Sequence, residues 1–396
     1  MVVFEALNAL YGDCLLLRYS GAGGVPRSWI IDGGPRAANA GGARLSCWKE
    51  VLLPRLKQID PALPFEVALG MVSHIDDDHI NGMQRLTSVL VAASPAPGPV
   101  KFRRFWFNAF EQLVGSPGAP APQGDAAPAA LAQASLPGVA DEDSQAIVQS
   151  VGQGMDLAAD LRTLHLGGNV PVGGLVAARK GQAPYDIDGA KVTVLGPLQG
   201  RLDKLRADWA AAAAKPDREA REAAVQALFL PDQALDKSVP NLSSVVVLVE
   251  VGGRKLLLTG DAQGADLVTA WQELGFGDGP VEVDLLKLPH HGSIRNIPER
   301  FLSFFPATHY VFSANGKYDN PDPETVEAVV KLHGARGIVL HFTNADVTWS
   351  KPYALDRGGT VVRELADQLR ALRAAYGGAW TARFRAPDAL SVVVEL

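Results

Sequence analysis

Short apolar runs separated by glycine- and proline-rich turns make up most of the chain, and this alternation is typical of β-strands joined by tight turns. Strands are predicted over residues 14–19, 29–32, 66–73, 100–110, 245–251, 255–258, 281–288, 309–313, 337–342 and 391–396. Helical spacing of apolar residues, or a high alanine content, predicts helices over residues 47–58, 203–230, 323–333 and 363–376. Strands and helices do not alternate as in βαβ folds. We therefore expect an α/β (α+β) fold in which two mixed sheets pack face to face with helices outside.

The domain organisation follows from the same pattern. Residues 1–350 are predicted to form one domain with two insertions. The first, near residues 116–140, is rich in proline and alanine and is expected to be flexible. The second, near residues 203–230, is expected to be helical. Residues 351–396 contribute a C-terminal helix and strands that we expect to pack on the same domain.

Composition narrows the class of protein. With 396 residues, 47% of them hydrophobic and 20% charged, the chain can bury a full core. A formal charge of −6 argues against a protein that coats nucleic acid non-specifically. Two cysteines, Cys14 and Cys47, cannot make a disulfide framework. Residues 1–20 contain charged side chains and predict a strand rather than a signal peptide, and no stretch is apolar enough for a membrane helix. A cytoplasmic protein is expected.

The polar residues that follow three of the predicted strands are the candidates for chemistry. Residues 66–73 run directly into a cluster of imidazoles and carboxylates: His74, Asp76, Asp78 and His79. Residues 255–258 run into Thr259, Gly260 and Asp261, and residues 281–288 run into His290 and His291. Ligand sites in layered α/β folds concentrate at the carboxyl ends of strands. An acidic turn that caps a helix is the alternative for the first cluster, and Asp77 is expected to point outwards.

In this order the motifs resemble those of the metallo-β-lactamase superfamily. The pattern His-x-Asp-x-Asp-His resembles its subgroup typified by the ComEC-type DNA-uptake proteins. Further matches to that subgroup are Tyr11-Gly12-Asp13, Ile31-Asp32-Gly33-Gly34, Asn241-Leu242-Ser243, Thr259-Gly260-Asp261 and Pro289-His290-His291-Gly292-Ser293. The resemblance implies an αββα sandwich with two divalent metal ions at one edge, zinc (Zn²⁺) first and manganese (Mn²⁺) as the alternative.

The resemblance also implies a ligand set. Asp78 and His79 would hold one ion together with a histidine from the pair His290 and His291, and which of the two binds is open. His74 and Asp76 would hold the other ion, and Asp261 would bridge both. The residues to which catalysis is assigned are Asp78, Asp261 and His290.

Two departures from the subgroup bear on the substrate. Asn241 stands where relatives carry a histidine, and the loop Tyr318-Asp319-Asn320-Pro321 lacks the histidine that relatives carry. The spare histidines His165 and His341 are expected to be structural or surface residues. Asn241, Ser293 and Asn320 are candidate contacts to the substrate.

The function expected from this resemblance is that of a metal-dependent hydrolase using a metal-bound hydroxide. Three carboxylates against two divalent ions leave a charge near +1, which favours an anionic substrate. A phosphodiesterase or nuclease-like enzyme is therefore predicted, acting on a small or polymeric phosphoester. Hydrolysis of another ester or of a lactone, and a non-catalytic metal-binding or interaction module, remain alternatives. The basic and aromatic residues 101–106 are either a surface for nucleic acid or a sheet strand with a solvated basic face.

Overall fold

The computed structural model describes residues 1–38, 44–109, 113, 142–213, 239–357 and 359–396. The strands are β1 (Val2–Leu7), β2 (Leu15–Ser20), β3 (Pro26–Ile31), β4 (Arg36–Ala38), β5 (Arg44–Ser46), β6 (Phe65–Val67), β7 (Leu69–Met71), β8 (Val100–Phe102), β9 (Phe105–Trp106), β10 (Tyr185–Ile187), β11 (Ala190–Gly196), β12 (Val246–Val251), β13 (Arg254–Leu258), β14 (Val283–Lys287), β15 (Ala307–Phe312), β16 (Val339–Phe342), β17 (Thr348–Ala354), β18 (Val361–Glu364), β19 (Thr381–Phe384) and β20 (Ser391–Glu395).

The helices are α1 (Leu53–Ile59), α2 (Asp77–Ala93), α3 (Glu142–Thr163), α4 (Gln199–Ala213), α5 (Val239–Leu242), α6 (Gly264–Glu273), α7 (Glu299–Phe304), α8 (Pro323–His333) and α9 (Leu365–Tyr376). A π-helical segment, Cys47–Leu52, leads directly into α1. Among these described residues, no helix combines the length and the apolar character that a membrane crossing requires.

Two large mixed sheets form the centre of the fold. One has the strand order β20-β1-β2-β3-β7-β9, and the other has the order β10-β11-β12-β13-β14-β15-β16-β19. The first sheet is antiparallel from β20 to β3 and parallel from β3 to β9. The second is antiparallel from β10 to β13 and parallel from β13 to β19. The last strands of the chain therefore extend both sheets.

Three apolar layers show how the sheets are stacked. The middle layer contains side chains from the facing sides of both sheets, such as Leu17 and Trp29 from one and Val247 and Leu256 from the other. Each outer sheet face packs against helices. The alternation of side chains along a strand divides them between the two faces, so a sheet with two apolar faces needs a partner on each. The αββα sandwich predicted from the sequence is confirmed.

Two of the predicted strands are in fact broken. Residues 66–73 form β6 and β7, and residues 100–110 form β8 and β9. β6 pairs only with β8 in a small separate sheet, whereas β7 pairs with both β3 and β9 in the large one. The apolar run looks continuous because both pieces are buried, and the change of partner at Ala68 leaves no trace in hydrophobicity. Residues 1–20, predicted as a strand, form the antiparallel pair β1 and β2.

Other predictions fall partly or wholly outside the described residues. The proline- and alanine-rich insertion near residues 116–140 lies outside them. Of the helix predicted over residues 203–230, α4 covers the beginning and residues 214–230 lie outside. Helix α3 was not anticipated. It packs against α2, where Asp160 accepts hydrogen bonds from Thr87 and Ser88, both at 2.9 Å.

Candidate metal centre

The ends of four strands meet at one edge between the two sheets. β3 leads into Asp32 and β7 leads, through Val72 and Ser73, into His74, whereas β13 and β14 of the other sheet lead into Asp261 and His290. The sheets are tied together here, because the backbone N–H of Val245 donates to the carbonyl oxygen of Ser73 at 2.9 Å. The candidate residues from all three sequence motifs are therefore brought to the same place.

Helix α2 is held at this edge by a close approach of two backbones. The N–H of Gly33 donates to the carbonyl oxygen of His79 at 2.6 Å, and that of Gly82 donates to Gly34 at 3.1 Å. A Cβ atom at Gly82 would lie 1.9 Å from the carbonyl oxygen of Gly33, so no larger residue fits there. Glycine at this position fixes where α2 begins and thereby where His79 lies.

A first group of donor atoms surrounds one side of Asp261. His79 Nε2 lies 3.3 Å from Asp261 Oδ1 and 3.3 Å from His291 Nε2. His291 Nε2 in turn lies 3.2 Å from Asp78 Oδ2 and 3.5 Å from Asp261 Oδ2. His79 and His291 are almost completely buried. Two imidazoles and two carboxylates thus face one another across a small space.

A second group lies on the other side of the same carboxylate. His74 Nε2 is 3.5 Å from Asp76 Oδ2 and 3.9 Å from Asp261 Oδ2. His290 Nε2 is 3.8 Å from Asp261 Oδ2. The side chains of Asp76 and His290 are 33% and 26% exposed, so this group opens to solvent, whereas the first group is enclosed. Asp261 is the residue that both groups share.

These separations are those of ligands around an ion. Two ligands bound tetrahedrally at about 2.1 Å from zinc lie roughly 3.4 Å apart. The donor-to-donor distances above range from 3.2 to 3.9 Å. Ordinary hydrogen bonds between nitrogen and oxygen are shorter, about 2.9 Å. The arrangement therefore has a spacing that suits ligands of a shared cation.

Each of the four histidines is held by an acceptor at Nδ1. His79 Nδ1 lies 2.9 Å from Asp32 Oδ2, and His291 Nδ1 lies 2.9 Å from the carbonyl oxygen of Ser313. His290 Nδ1 lies 3.0 Å from Asn296 Oδ1. An acceptor at Nδ1 places the proton of a neutral imidazole there, which leaves the Nε2 lone pair for a metal ion.

The same holds for His74 through a two-step relay. The Ser73 hydroxyl donates to Asp32 Oδ2 at 2.7 Å, so its oxygen is left to accept from His74 Nδ1 at 3.0 Å. His74 Nε2 is buried and makes no hydrogen bond to any described residue. A buried nitrogen with a lone pair and no hydrogen-bond partner is costly unless something else binds it. This donor set fits a pair of divalent cations.

The electrostatics of the cluster point the same way. Burial acts to lower the pKa of His79 and of His291, but the carboxylate of Asp261, joined by Asp78, outweighs it and raises both pKa values well above their usual range. Burial likewise opposes ionisation of Asp78 and Asp261, yet the adjacent His79 lowers the pKa of both carboxyls. The carboxylates thus draw positive charge into the site, which bound cations would supply in place of protons.

The backbone at His290 and His291 is strained in a way that serves this geometry. Both residues have positive φ angles, 45° and 54°, a region that costs non-glycine residues about 1–3 kcal/mol each. The N–H of His290 donates to the carbonyl oxygen of Gly260 at 3.1 Å and holds the turn against the Asp261 loop. The turn brings both rings towards Asp261 Oδ2, with His290 Nε2 at 3.8 Å and His291 Nε2 at 3.5 Å. The structure thus brings both histidines to Asp261, where the sequence left their roles open.

A second pair of buried charges stands behind the histidines and was missed from sequence. Asp13 and Lys287 are both fully buried and form an ion pair. Asp13 lies 3.5 Å from His291 Nδ1 and 3.9 Å from His79 Nδ1. Although Asp13, His79, Asp261 and His291 form one compact group of possible ligands, Asp13 faces the Nδ1 side of the rings and is neutralised by Lys287. We therefore place it as a supporting residue rather than a ligand.

Sequence signals for these supporting residues existed. Asp13 and Asp32 belong to the two opening motifs that carried the family resemblance but were given no role. Lys287 is the single charge among residues 285–288, which are otherwise all leucine. A lysine in the middle of a strand that is buried on both faces requires a buried partner.

The three residues predicted to contact substrate are all buried. Asn241 accepts at its carbonyl oxygen from the N–H of Ser244, whose hydroxyl accepts from the N–H of Asp261 at 3.2 Å. Ser293 directly follows the strained histidine turn, and its hydroxyl interacts with Asp322. Asn320 lies in the loop after β15, where its carbonyl oxygen accepts from the N–H of Gly316 at 2.9 Å. Contact with a substrate stays a prediction for each.

The basic strand is not a stacking surface. Phe102, Phe105 and Trp106 are buried. The cations between and beside them form ion pairs: Lys101 with Glu66 at 3.0 Å, and Arg103 and Arg104 with Asp188 at 3.3 and 3.2 Å. Its rings and charges are engaged within the fold.

The two spare histidines do not join the cluster. His341 is buried and its Nε2 lies 3.0 Å from His309 Nδ1. Burial, followed by His309, lowers the pKa of His341 to about 3. His165 is exposed, in the loop after α3. Neither histidine replaces the imidazole that relatives carry at the position of Asn241. The imidazole that lies with His74 near Asp261 Oδ2 is that of His290.

No protein-family model matches the sequence, and no curated protein matches it either. Among solved structures, the chain is similar to the metallo-β-lactamase fold protein YhfI from Bacillus subtilis, at 11% identity and a TM-score of 0.38, with 100% of this chain and 99% of that chain covered. It is also similar to a mutant of the CmlA beta-hydroxylase, at 13% identity and a TM-score of 0.37, with 100% of this chain and 54% of that chain covered. The assignment of a candidate metal centre to this chain comes from the geometry of its own side chains.

Proposed function

We propose that this chain is a metal-dependent hydrolase of the metallo-β-lactamase type that acts on phosphodiesters. The observation that carries the proposal is the convergence of four imidazole Nε2 atoms on the carboxylate of Asp261, each with its Nδ1 held by an acceptor. A fold has no need of four buried or half-buried histidines in one tautomer around a buried carboxylate. Metal binding gives all of them a role.

The two groups of donors define two positions for divalent cations. His79, His291, Asp78 and Asp261 would hold the enclosed one. His74, Asp76, His290 and Asp261 would hold the one that is open to solvent. The mixture of imidazole and carboxylate ligands suits zinc and also manganese. Cations at such positions supply Lewis-acid catalysis and lower the pKa of water.

The residues of the chain have separable tasks in this proposal. Asp261 would fix the spacing of the two groups of donors, because histidines of both groups lie near its carboxylate oxygens. Asp32 holds His79 directly and His74 through the Ser73 hydroxyl, so one buried carboxylate sets two tautomers. His290 has the most exposed of the four rings and lies where a substrate would enter. It would orient the substrate on the open side of the site.

The charge of the site supports an anionic substrate. Three carboxylates from Asp76, Asp78 and Asp261 against two divalent cations leave a charge near +1 when the imidazoles are neutral. A phosphodiester carries a single negative charge and gains a second during attack at phosphorus, so it is stabilised most in the transition state. The chain as a whole carries a formal charge of −6, which disfavours long duplex nucleic acid and favours a small phosphodiester.

The test is metal analysis of the purified protein combined with hydrolysis of bis-p-nitrophenyl phosphate in the presence of zinc or manganese. We expect the wild type to bind two ions per chain and to hydrolyse the diester. We expect Asp78→Ala to lose bound metal and to lose turnover. Asp77→Ala is the matched control, since it removes the neighbouring carboxylate. Asp77 is engaged elsewhere, with the backbone N–H of Arg36 at 3.2 Å and with Gln153 Nε2 at 2.7 Å.

The outcomes separate the competing functions. Retention of metal and turnover in Asp77→Ala, but not in Asp78→Ala, supports the proposal. Two bound ions with turnover of p-nitrophenyl acetate and none of the phosphodiester would replace it by an ester or lactone hydrolase. Fewer than one ion per chain, with no turnover of either substrate, would leave a non-catalytic module.

A further inference from the structure

Two tyrosines and a lysine form a small platform beside the metal centre. Lys317 Nζ lies 3.5 Å from the centre of the Tyr11 ring and 4.7 Å from that of the Tyr318 ring. The two rings meet edge to face with their centres 6.1 Å apart. We call Tyr11, Lys317 and Tyr318 the aromatic rim. An ammonium group held between two aromatic rings is a favourable arrangement that keeps both rings and the charge in fixed positions.

The rim is attached directly to residues of the metal centre on both of its sides. On one side, the N–H of Asp13 donates to the carbonyl oxygen of Asp78 at 3.1 Å, two residues after Tyr11. On the other side, the Ser313 carbonyl oxygen lies 2.9 Å from His291 Nδ1, four residues before Lys317. The Ser313 hydroxyl also donates to the carbonyl oxygen of Gly12 at 2.8 Å and so joins the two sides.

Tyr318 is exposed and conformationally strained, and the fold gives no reason for either property. Tyr318 is 75% exposed, whereas most of the large aromatic side chains that the structure describes are buried. Tyr318 and Asp319 have positive φ angles of 58° and 63°. Asp319 stabilises this conformation, because its carboxylate accepts from the N–H of Ser350 at 2.7 Å and from the Ser350 hydroxyl at 2.5 Å. Strain that the surroundings maintain in order to present an exposed ring indicates a binding role.

We propose that the aromatic rim binds a flat aromatic group of the phosphoester substrate, with the ring stacked on Tyr318 and the adjoining phosphate near Lys317. This inference rests on the proposed function and names its substrate class. The flat group is either a nucleobase or a simple aryl group, which share the same stacking chemistry. Lys317 adds a positive charge beside the two tyrosine rings, where it would attract the anionic part of the ester.

Tyr11 completes the rim as a hydrogen-bond donor. A tyrosine phenol has an ordinary pKa of about 10, so it is protonated at neutral pH and can donate to an oxygen of the substrate. A ring for stacking, a cation and a neutral hydroxyl are the groups that a nucleotide-like ester requires for orientation.

The test compares three esters that share p-nitrophenolate as the leaving group: the p-nitrophenyl ester of thymidine 5′-monophosphate, bis-p-nitrophenyl phosphate, and methyl p-nitrophenyl phosphate. We expect Tyr318→Ala to lower kcat/KM about tenfold for esters whose remaining group is aromatic and to leave the methyl ester unchanged, as expected for the loss of one stacked ring. Tyr318→Phe, which keeps the ring, should restore the wild-type value. Phe276→Ala, at an aromatic residue that is 41% exposed on the outer helical layer, is the matched control.

The pattern of losses identifies the source of the aromatic group. A loss confined to the thymidine ester assigns the rim to a nucleobase, and a loss on both aromatic esters assigns it to aryl groups in general. No effect of Tyr318→Ala on any ester, or an equal effect on all three that Tyr318→Phe does not restore, overturns the inference. An equal effect that Tyr318→Phe restores assigns the rim to the p-nitrophenyl group that the three esters share.

A binding measurement separates this inference from the proposed function. Thymidine 5′-monophosphate and deoxyribose 5-phosphate are titrated by calorimetry into the wild-type protein and into Tyr318→Ala. Tighter binding of the nucleotide than of the sugar phosphate, lost in the variant, supports the rim even if no ester is hydrolysed. Equal binding of the two ligands by the wild-type protein refutes the rim while leaving turnover of phosphodiesters intact.

Discussion

Replacing Lys287 by methionine probes the buried charge pair behind the metal centre. Lys287 lies in β14 and Asp13 lies in the loop between β1 and β2, so their ion pair joins the two sheets. Both side chains are 0% exposed. Methionine keeps the length and much of the apolar contact of the lysine side chain, so the change removes the charge with little loss of packing.

The expected cost is large because Asp13 has no equivalent second partner. The nearest other nitrogen atoms, His291 Nδ1 at 3.5 Å and His79 Nδ1 at 3.9 Å, each have a closer acceptor. Leaving one charge of a buried pair without its partner costs about 3–5 kcal/mol. Folded domains are stable by only about 5–15 kcal/mol. We therefore expect Lys287→Met to remove about a fifth or more of the free energy of unfolding.

The assay is urea unfolding of chelator-treated protein, so that bound metal does not contribute to the difference. The wild type, Lys287→Met and the double variant Asp13→Asn/Lys287→Met are compared. The double variant should recover part of the loss, since no unpaired charge remains. A deficit of about 1–3 kcal/mol is expected to persist from the buried amide.

Two results would refute this reasoning. A loss below about 1 kcal/mol in Lys287→Met would mean that the carboxylate of Asp13 is not dependent on its ion pair. A double variant no more stable than the single one would mean that the lysine contributes through packing rather than through its charge.

Three further predictions concern Gly12, the buried carboxylate of Glu5 and metal binding. A Cβ atom at Gly12 would lie 2.0 Å from the carbonyl oxygen of Asp78, so Gly12→Ala should displace the loop that contains Asp78. We expect this variant to bind metal at least tenfold more weakly in equilibrium dialysis, whereas Gly152→Ala, with open space around residue 152, should bind as the wild type does. Burial opposes ionisation of Glu5, but hydrogen bonds from Arg55 and Ser391 outweigh it and lower the pKa of Glu5. Its contribution, about 2–3 kcal/mol, is therefore present above the ordinary glutamate pKa and is lost as the pH falls through the lowered value. The difference in unfolding free energy between the wild type and Glu5→Gln should be largest near pH 7 and shrink in acid, and a difference that is constant with pH would contradict this. Chelation should lower the melting temperature of the wild type more than that of Asp78→Ala, because the variant keeps only the ligands of the position open to solvent and each ion at 1,000 times its Kd stabilises by about 4 kcal/mol. Equal shifts in both proteins would exclude Asp78 as a ligand.

The sequence predicted the structure correctly where a short run of residues favours one local conformation. The strands predicted over residues 245–251 and 255–258 are found as β12 and β13, and they pair as a hairpin because Gly252 and Gly253, with positive φ, make a tight turn. Helix α8 was predicted at residues 323–333, where a proline stands at the first turn and apolar residues recur at helical spacing. Local signals of this kind do not depend on which element packs against which.

The break at Ala68 and the roles of Asp13 and Lys287 could not be read in the same way. The apolar run 66–73 is the same whether one strand or two lie within it, because both are buried. Lys287 stands out as a charge in an apolar strand, but nothing in the sequence identifies its partner as Asp13, which lies far away along the chain. Their pairing follows from the stacking of two sheets, which is a property of the whole fold.

The sequence by itself determined that imidazoles and carboxylates follow three predicted strands, and hence it predicted a metal site at their ends. Only the tertiary structure decided how they are shared. It brought the Nε2 atoms of His290 and His291 to 3.8 and 3.5 Å from the same oxygen, Asp261 Oδ2, through a turn with a left-handed backbone at residues 290 and 291. The position of each ring relative to Asp261 cannot be predicted from the fact that His290 and His291 are adjacent in the sequence. The distances between strand ends, which set the two groups of ligands, are fixed by sheet packing rather than by spacing along the chain.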